Sequence, residues 1–244
     1  MSISYSPQGS VALAASPDSY SQVPLIFAGV DAGGRPFNYR ADLTARGISY
    51  DATLQGVPAV YFPSSIRTPL RETADRFSAL DIRGELAPLV ATIHERFKFI
   101  KGLSLVAFGG VSVIFAETTM YKEKLPLGVV SNGIERLLNV LLGIAASTNG
   151  IVLVDELDSC VHHSKIGGVW EALRDFSKTY STQLFVSTHS AEWLTALLPV
   201  IKGHEQDFSL LRTDVIEGDV QHTVEHFTGS KLRTAIAQNA EIRN

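Results

Sequence analysis

The spacing of hydrophobic positions changes along this chain, and each spacing predicts a different kind of element. Between Val23 and Leu54 apolar and polar residues alternate, which is typical of strands joined in hairpins. Residues 70–100 carry helical spacing that breaks near Gly84. Two short apolar strands are predicted next, at 103–107 and 111–116. The first half of the chain therefore predicts antiparallel strands followed by a helical lobe.

Strands and helices alternate in the second half of the chain, a pattern typical of a parallel sheet with crossover helices. The predicted elements are a helix at 134–146, a strand at 151–155, a helix at 166–179, a strand at 183–187, a helix at 190–198, a hairpin at 208–227 and a helix at 230–239. We therefore predict an α/β fold with a mostly parallel sheet, flanking helices, antiparallel strands near the N-terminus and a helical insertion.

A buried-strand pattern ends in two adjacent carboxylates. Ile151 to Val154 is a run of four branched apolar residues, and Asp155 and Glu156 follow it directly. Such a run predicts a central strand covered on both faces, and open α/β sheets bind their ligands at the carboxyl ends of strands. One carboxylate can hold Mg²⁺ while the next polarises a water. The alternative is an acidic pair that only caps the following segment, but a run this apolar rarely ends in two carboxylates without use.

A second polar cluster opens the predicted helix that precedes this strand. It consists of Ser131, Asn132 and Gly133, with Glu135 and Arg136 inside the first turns. Exposed amides at a helix N-terminus bind anions, and the Ser131 hydroxyl adds a donor. The other interpretation is an ordinary helix cap, which Ser and Asn supply in most proteins. The cluster indicates an anion site only in combination with other signals.

A third cluster, Ser187 to Ser190, follows the next predicted strand and contains His189. A histidine beside a helix start is usually structural. If the two strands are neighbours, however, His189 projects from the same sheet edge as Asp155 and Glu156. It could then hydrogen-bond a terminal phosphate or orient the attacking water.

Composition narrows the class of protein without defining its function. The chain has 244 residues, 45% of them hydrophobic, which suffices for one large domain or two small ones. Its net charge of -4 gives no global electrostatic case for binding nucleic acid. The single cysteine, Cys160, excludes an intramolecular disulfide and fits a reducing compartment. No apolar run is long enough for a membrane helix and no secretion signal is evident, so we expect a cytoplasmic location.

In this order and at these separations, the three clusters resemble the ATP-binding cassette type of ATPase domain. The likeness is greatest to the AAA-domain ATPases of the overcoming-lysogenization-defect (OLD-like) group, which are related to the Rad50 and SMC ATPases. It covers roughly residues 23 to 243. The matching motifs are an S-x-G-x-x-R signature at Ser131, Gly133 and Arg136, a Walker B strand at Ile151 to Glu156, a D-loop at Asp155 to His162 in which Cys160 replaces a glycine, and a switch histidine at His189.

This resemblance implies a P-loop NTPase-like fold and ATP hydrolysis with ATP and Mg²⁺ as ligands. It implies that Asp155 helps hold Mg²⁺, that Glu156 activates the attacking water and that His189 contacts the γ-phosphate. It further implies a homodimer in which the signature loop closes over the nucleotide of the second subunit, and a nuclease or other effector as a partner. DNA binding is not supported by the charge, and no membrane partner is expected. The nucleotide-binding residues implied by the resemblance are Ser131, Asn132, Gly133, Arg136, Asp158 and His162.

One motif of such ATPases is absent from the sequence. G-x-x-x-x-G-K-[ST] cradles the phosphates, and no lysine of this chain satisfies it. The nearest string, Gly29 to Pro36, has the glycine spacing but the wrong final residues, and period-two alternation follows it. We interpret it as a hairpin turn. The simplest interpretation is a fragment or shortened form that begins after the phosphate-binding loop, and the alternative is a degenerate, non-catalytic module that binds protein or DNA.

Two other kinds of site are less favoured. The donors of His162, His163, His189, Asp155 and Glu156 could bind a transition metal, but their spacing matches no standard zinc pattern. A basic patch formed by Arg67, Arg71, Arg76, Arg96, Lys98 and Lys101 is interpreted as the solvated face of helices. The predicted organisation is a flexible arm at 1–22 and an ATPase-like domain at 23–243, divided into antiparallel strands (23–66), a helical lobe with connecting strands (67–130), a core with the signature, Walker B, D-loop and switch histidine (131–200), and a C-terminal hairpin and helix (201–244).

Overall fold

The structure is a computed structural model that describes residues 23–30, 36–44, 47–50, 58–157, 163–215 and 222–238. The chain divides into two compact units, one ending at Gly56 and the other beginning at Val57. The arm predicted at 1–22 lies outside the described residues.

The first unit contains an antiparallel sheet. Its strands are β1 (Val23–Val30), β2 (Pro36–Thr44) and β3 (Gly47–Tyr50), in that spatial order. Val30 pairs with Pro36, so the glycine-containing string connects two antiparallel strands and no helix follows it. The prediction of strands from the period-two alternation is confirmed, while the turn residues 31–35 lie outside the described part of the chain.

The second unit mixes strands and helices. In chain order its main elements are β4 (Ala59–Phe62), α1 (Leu70–Ile82), α2 (Leu86–Arg96), β5 (Ile100–Phe108), β6 (Val111–Thr118), β7 (Leu125–Pro126), α3 (Leu127–Val130), α4 (Asn132–Ala146), β8 (Ile151–Val154), α5 (Ile166–Thr179), β9 (Gln183–Val186), α6 (Ala191–Ile201), β10 (Ser209–Val215), β11 (His222–Thr228) and α7 (Gly229–Ala237). The predicted break between the first two helices is confirmed, with Gly84 at a φ of 74°. The predicted α/β class is confirmed as well.

A parallel sheet of three strands, in the order β4-β8-β9, forms the centre of this unit. Its register aligns Ala59 with Ile151 and Ile151 with Gln183. The strands at 151–154 and 183–186 are therefore neighbours, and their carboxyl ends lie at one edge of the sheet. Two antiparallel sheets, β5-β6-β7 and β10-β11, complete the strands of this unit among the described residues.

Close backbone packing sets the alignment of β4 with β8. Asn149 adopts a φ of 57°, and the Gly150 amide donates to the Ser147 carbonyl at 2.8 Å, which forms the predicted turn. A Cβ on Gly150 would lie 2.1 Å from the Pro58 carbonyl oxygen, so only glycine fits here. The next amide, Ile151, donates to that same oxygen at 2.8 Å. The two strands thus begin in register.

Only one face of the parallel sheet is buried. Val152 and Val154 are 0% and 2% exposed, and α4 packs closely enough that a Cβ on Gly143 would meet the Phe62 ring at 2.6 Å. The opposite face carries a row of exposed apolar side chains in matching register, which we call the open row: Tyr61 (59% exposed), Leu153 (40%) and Phe185 (43%). The prediction that the strand at 151–154 is covered on both faces is wrong, because an unbroken apolar run hides which face is buried.

Helix α4 is the centre of the core. Most of its residues are buried, and it contacts α1, α5 and β8. Its one buried amide, Asn139, accepts a hydrogen bond of 2.6 Å from the hydroxyl of Thr73. None of the helices in the described ranges is both long and apolar enough to cross a membrane.

Candidate functional site at the carboxyl ends of the parallel strands

The carboxylate of Asp155 joins the ends of all three parallel strands. Its Oδ1 accepts a hydrogen bond of 2.6 Å from the Ser187 hydroxyl, which follows β9. The hydroxyl and the amide of Ser64, beyond the end of β4, also donate to it. These bonds, that of Ser187 first, hold the pKa of Asp155 below its usual value, with a smaller contribution from the charge of Arg136. Asp155 is therefore an ionised carboxylate at neutral pH.

Glu156 adopts an uncommon backbone conformation directly after this carboxylate. Its φ is 47°, in the left-handed region that residues with a Cβ seldom occupy. Its amide donates to the Ser187 hydroxyl at 3.0 Å. A non-glycine residue in this region is strained, so the surrounding contacts must hold it there.

Arg136 connects α4 to the end of β8. Its Nη2 donates to the carbonyl of Asp155 at 2.6 Å and to that of Glu156 at 3.3 Å, while Nη1 donates to the carbonyl of Ser64 at 3.4 Å. The structure thus brings Arg136 together with the backbone of both predicted acidic residues. The contacts it makes are to backbone carbonyls, and its role towards a nucleotide stays a prediction.

The remaining signature residues form the N-terminus of α4. The hydroxyl of Ser131 accepts from the Ile134 amide at 3.3 Å and so caps the helix. Asn132 is exposed and its Oδ1 accepts from Arg67 at 3.3 Å, whereas Gly133 is buried. The helix dipole and the Arg67 guanidinium make this end of the helix positive. Ser131 therefore acts as the N-cap of α4. The positive end of this helix lies beside the exposed side-chain amide of Asn132.

Burial affects the one acidic side chain in this turn. It raises the pKa of Glu135, and the positive charge of Arg67 partly opposes that rise. The Glu135 carboxylate also lies close to Gly128, where a Cβ would come within 2.7 Å of Oε2.

His189 lies beyond the end of β9 and is exposed. The neighbouring hydroxyls are structural: Ser190 accepts from the Trp193 amide at 3.4 Å and caps α6, while Thr188 accepts from the Ser190 amide at 3.1 Å. His189 and Asp155 follow neighbouring strands at the same sheet edge, as the sequence predicted.

Some predicted site residues lie outside the described part of the chain. Asp158 and His162 belong to this group, and so does the side chain of His163. Within the described ranges no group of three or more His, Cys, Asp and Glu side chains is arranged to hold a metal ion.

A cleft of about 800 Å³ runs from this edge across the sheet. Asp155, Ser187 and Thr188 line one end, and the open row contributes to its wall. Ligand pockets for small molecules commonly have volumes of roughly 300 to 1,000 Å³. The cleft therefore has room for a ligand of nucleotide size next to the ionised carboxylate.

The oxygen atoms at this edge of the sheet are of the kind that binds Mg²⁺. This ion prefers oxygen ligands, keeps several waters and is usually bound through one or two carboxylates with substrate phosphates. An ionised carboxylate has about four lone-pair sites, and the donors from Ser187 and Ser64 use three of those on Asp155. The one lone-pair site that remains on Asp155 suits a single contact to Mg²⁺, either direct or through a water.

The sequence did not predict the part played by Ser64. It lies in the string Tyr61 to Ser65, which contains none of the residues predicted for the site. The signal that could have found it is a hydroxyl residue directly beyond a strand that precedes a helical segment. Recognising its partner would also have required knowing that β4 pairs with β8, a contact between segments about 90 residues apart.

The second unit is thus an α/β domain in which an acidic pair follows the central parallel strand. Residues 17–194, most of the chain, match the family described as "AAA domain, putative AbiEii toxin, Type IV TA system". The chain belongs to this AAA-domain family. The narrower resemblance to the OLD-like group stays a prediction.

A curated relative carries the name ATP/GTP phosphatase. This protein, from Helicobacter pylori (strain ATCC 700392 / 26695), is 26% identical over 115 residues. The matched stretch is 46% of this chain and 30% of the relative, so the chain spans less than a third of the protein that it resembles.

Solved SMC head domains are similar in structure at a low level. The SMC head bound to the C-winged helix domain of ScpA gives a TM-score of 0.49 at 15% identity, covering 84% of this chain and 74% of that chain. The SMC head domain from Thermotoga maritima gives 0.41 at 13% identity, covering 83% and 73%.

Proposed function

We propose that this chain is the hydrolytic half of an ATPase site, which binds ATP and Mg²⁺ at the carboxyl ends of the parallel strands. One observation carries the proposal: Asp155 is held ionised by donors from both neighbouring strand ends, with Glu156 directly after it. Membership of the AAA-domain family and the resemblance to a protein named ATP/GTP phosphatase support it.

Each residue of the site has a distinct part in the proposed reaction. Asp155 would hold Mg²⁺, which when bound neutralises charge on the phosphate oxygens. Glu156 would orient the attacking water and take up its proton as the oxygen bonds to the γ-phosphorus. The bond between that phosphorus and the bridging oxygen breaks, giving ADP and phosphate. His189 would hydrogen-bond the transferred phosphoryl group, so catalysis consists of positioning and charge stabilisation.

The second part of the proposal concerns the dimer. Ser131, Asn132 and Gly133 would close over the nucleotide of a second copy, with Arg136, Asp158 and His162 completing the nucleotide-binding set. The positive end of α4 supports this, since it suits a phosphate group. A nuclease or another effector protein is the proposed partner of the dimer. DNA binding has no support from the net charge of -4.

A non-catalytic module is the competing proposal. It is favoured by one observation: no G-x-x-x-x-G-K-[ST] occurs in these 244 residues. Such a module would bind a protein or DNA partner without hydrolysing nucleotide. Asp155 and Glu156 would then have no chemical role.

The test measures nucleotide binding by the purified chain. With Mg²⁺ and ATP at about 100 times Kd, binding stabilises the folded state by about 2.7 kcal/mol, which raises Tm by roughly 5 to 10 °C. Sedimentation should show an ATP-dependent dimer. Asp155→Asn should abolish both effects, whereas Asp81→Asn, a matched change at an exposed carboxylate, should leave them intact. If the chain is folded but neither its Tm nor its sedimentation mass changes when ATP and Mg²⁺ are added, the ATPase proposal is refuted. The non-catalytic module is then favoured.

A further inference from the structure

The hydroxyl of Ser187 bridges the two carboxylate residues. It lies 2.6 Å from Oδ1 of Asp155 and 3.0 Å from the amide nitrogen of Glu156. Both distances are those of good hydrogen bonds. One small side chain directly beyond β9 therefore contacts the two consecutive residues that follow β8.

The direction of each hydrogen bond follows from the partners. An amide can only donate, so the Ser187 oxygen accepts from Glu156. An ionised carboxylate can only accept, so the single proton of the hydroxyl is donated to Asp155. The Ser187 hydroxyl is therefore an acceptor and a donor at the same time. Accepting a hydrogen bond from the amide polarises the hydroxyl and strengthens the bond that the hydroxyl donates to the charged carboxylate. Alanine at this position can make neither bond.

The backbone at Glu156 needs such a partner. A φ of 47° is unfavourable for a residue with a Cβ, so other contacts must hold it. Arg136 holds the carbonyls of Asp155 and Glu156 from one side, and Ser187 holds the amide between them from the other. Ser187 is itself fixed, because its amide donates to the Val154 carbonyl at 2.9 Å.

We propose that Ser187 is a positioning residue of the hydrolytic site, which aims the Asp155 carboxylate and sets the backbone from which the Glu156 side chain projects. The inference rests on the proposed function for its catalytic consequence, while its structural content stands on the hydrogen bonds alone. Ser187 would act through these two residues without touching the nucleotide.

The test compares three variants. Ser187→Ala removes the hydroxyl and Ser187→Thr retains it. Ser190→Ala is the matched control: it deletes a serine hydroxyl three residues further on, which caps α6. For each protein we would measure the rate of phosphate release as a function of Mg²⁺ concentration, and the hydrogen exchange rate of the Glu156 amide by NMR.

Ser187→Ala should lower the maximal rate by about tenfold to a hundredfold, because catalytic groups displaced by a fraction of an ångström lose most of their effect. It should also raise the Mg²⁺ concentration needed for half of the maximal rate, and speed exchange at the Glu156 amide about tenfold. Ser187→Thr should restore all three readouts. Ser190→Ala should lower Tm alone.

Equal effects of Ser187→Ala and Ser190→Ala would overturn the proposal, as would a Ser187→Ala variant with unchanged Mg²⁺ dependence and unchanged Glu156 exchange. If the unmodified chain releases no phosphate and binds no nucleotide, the proposed function fails. The amide exchange then decides the inference by itself: protection lost in Ser187→Ala and kept in Ser187→Thr supports it, and protection that is unchanged in Ser187→Ala contradicts it.

Discussion

The guanidinium of Arg136 donates a hydrogen bond of 2.6 Å to the backbone carbonyl of Asp155. A residue of the helix that begins with the signature loop thus holds the main chain at the end of the central strand. The same group reaches the carbonyls of Glu156 and Ser64 in partly buried hydrogen bonds, so three backbone acceptors depend on one side chain.

Replacing Arg136 should therefore destabilise the fold. Arg136→Ala leaves these carbonyls without their donor, and we expect a loss of roughly 2 to 3 kcal/mol in the free energy of unfolding. Arg136→Lys should recover only part of it, because an ammonium group lacks the planar fork of a guanidinium. Urea denaturation measures both. Arg71→Ala is the control: Arg71 is 93% exposed, and its loss should change stability by less than about 0.5 kcal/mol.

Glu156→Gln should separate ATP binding from hydrolysis. The amide keeps the size of the side chain but cannot take a proton from water, so phosphate release should fall by about 10² to 10⁴-fold. Dimerisation with ATP should persist or strengthen, because the bound nucleotide is no longer consumed. The exposed Glu117 supplies a matched control, Glu117→Gln, which should behave as the unmodified chain. Unchanged turnover in Glu156→Gln would remove Glu156 from the mechanism.

Ser131 allows its capping role to be separated from a nucleotide role. Ser131→Ala should cost about 1 kcal/mol, because the Ile134 amide loses its acceptor. Ser131→Asp should keep the cap and the stability, since aspartate is an equally good N-cap. Its negative charge would repel a phosphate, however, and so ATP-dependent dimerisation should be lost in Ser131→Asp although this variant stays stable. If Ser131→Asp dimerises normally, Ser131 is only a cap.

The raised pKa of Glu135 should make the stability of the fold depend on pH. Its pKa in the folded state is raised above the usual value of about 4.5, so its favourable contribution is complete below that pH and is lost as the pH rises through the folded pKa. Glu135→Gln should stabilise the chain at pH 7 by less than about 1 kcal/mol, because the side chain is only half buried and solvent screens it.

The advantage of Glu135→Gln should vanish below pH 4.5, where the native side chain is protonated in both states. Thermal unfolding from pH 4 to pH 8 measures the difference between the two proteins. An advantage of constant size across that range would show that burial of the charge is not its cause.

Periodicity was sufficient to predict most elements of the second unit. The helix at 166–179 and the strand that follows it occur where the spacing placed them. The short helix Leu127–Val130 was missed, since four residues are too few to display a period. The exposure of Leu153 could not be predicted for a different reason. When four consecutive residues are apolar, the sequence does not show which of them face the core and which face solvent.

The candidate site could be predicted only in part. Asp155 was singled out because it follows an apolar strand, whereas Ser187 was named only as part of the cluster that contains His189. The hydrogen bond between them depends on the register of two strands separated by a helix, and no local pattern encodes that register. The contact of Arg136 with the Asp155 carbonyl was beyond reach for the same reason, since a backbone carbonyl carries no sequence signal.

The open row has a consequence for handling the chain in solution. Tyr61, Leu153 and Phe185 form an exposed apolar strip along the wall of the cleft, and such strips associate with one another and bind hydrophobic dyes. We therefore expect this strip to lower the solubility of the chain. The double variant Leu153→Thr, Phe185→Thr should raise the concentration at which the chain precipitates. Threonine favours the strand conformation and replaces exposed apolar surface with a hydroxyl group.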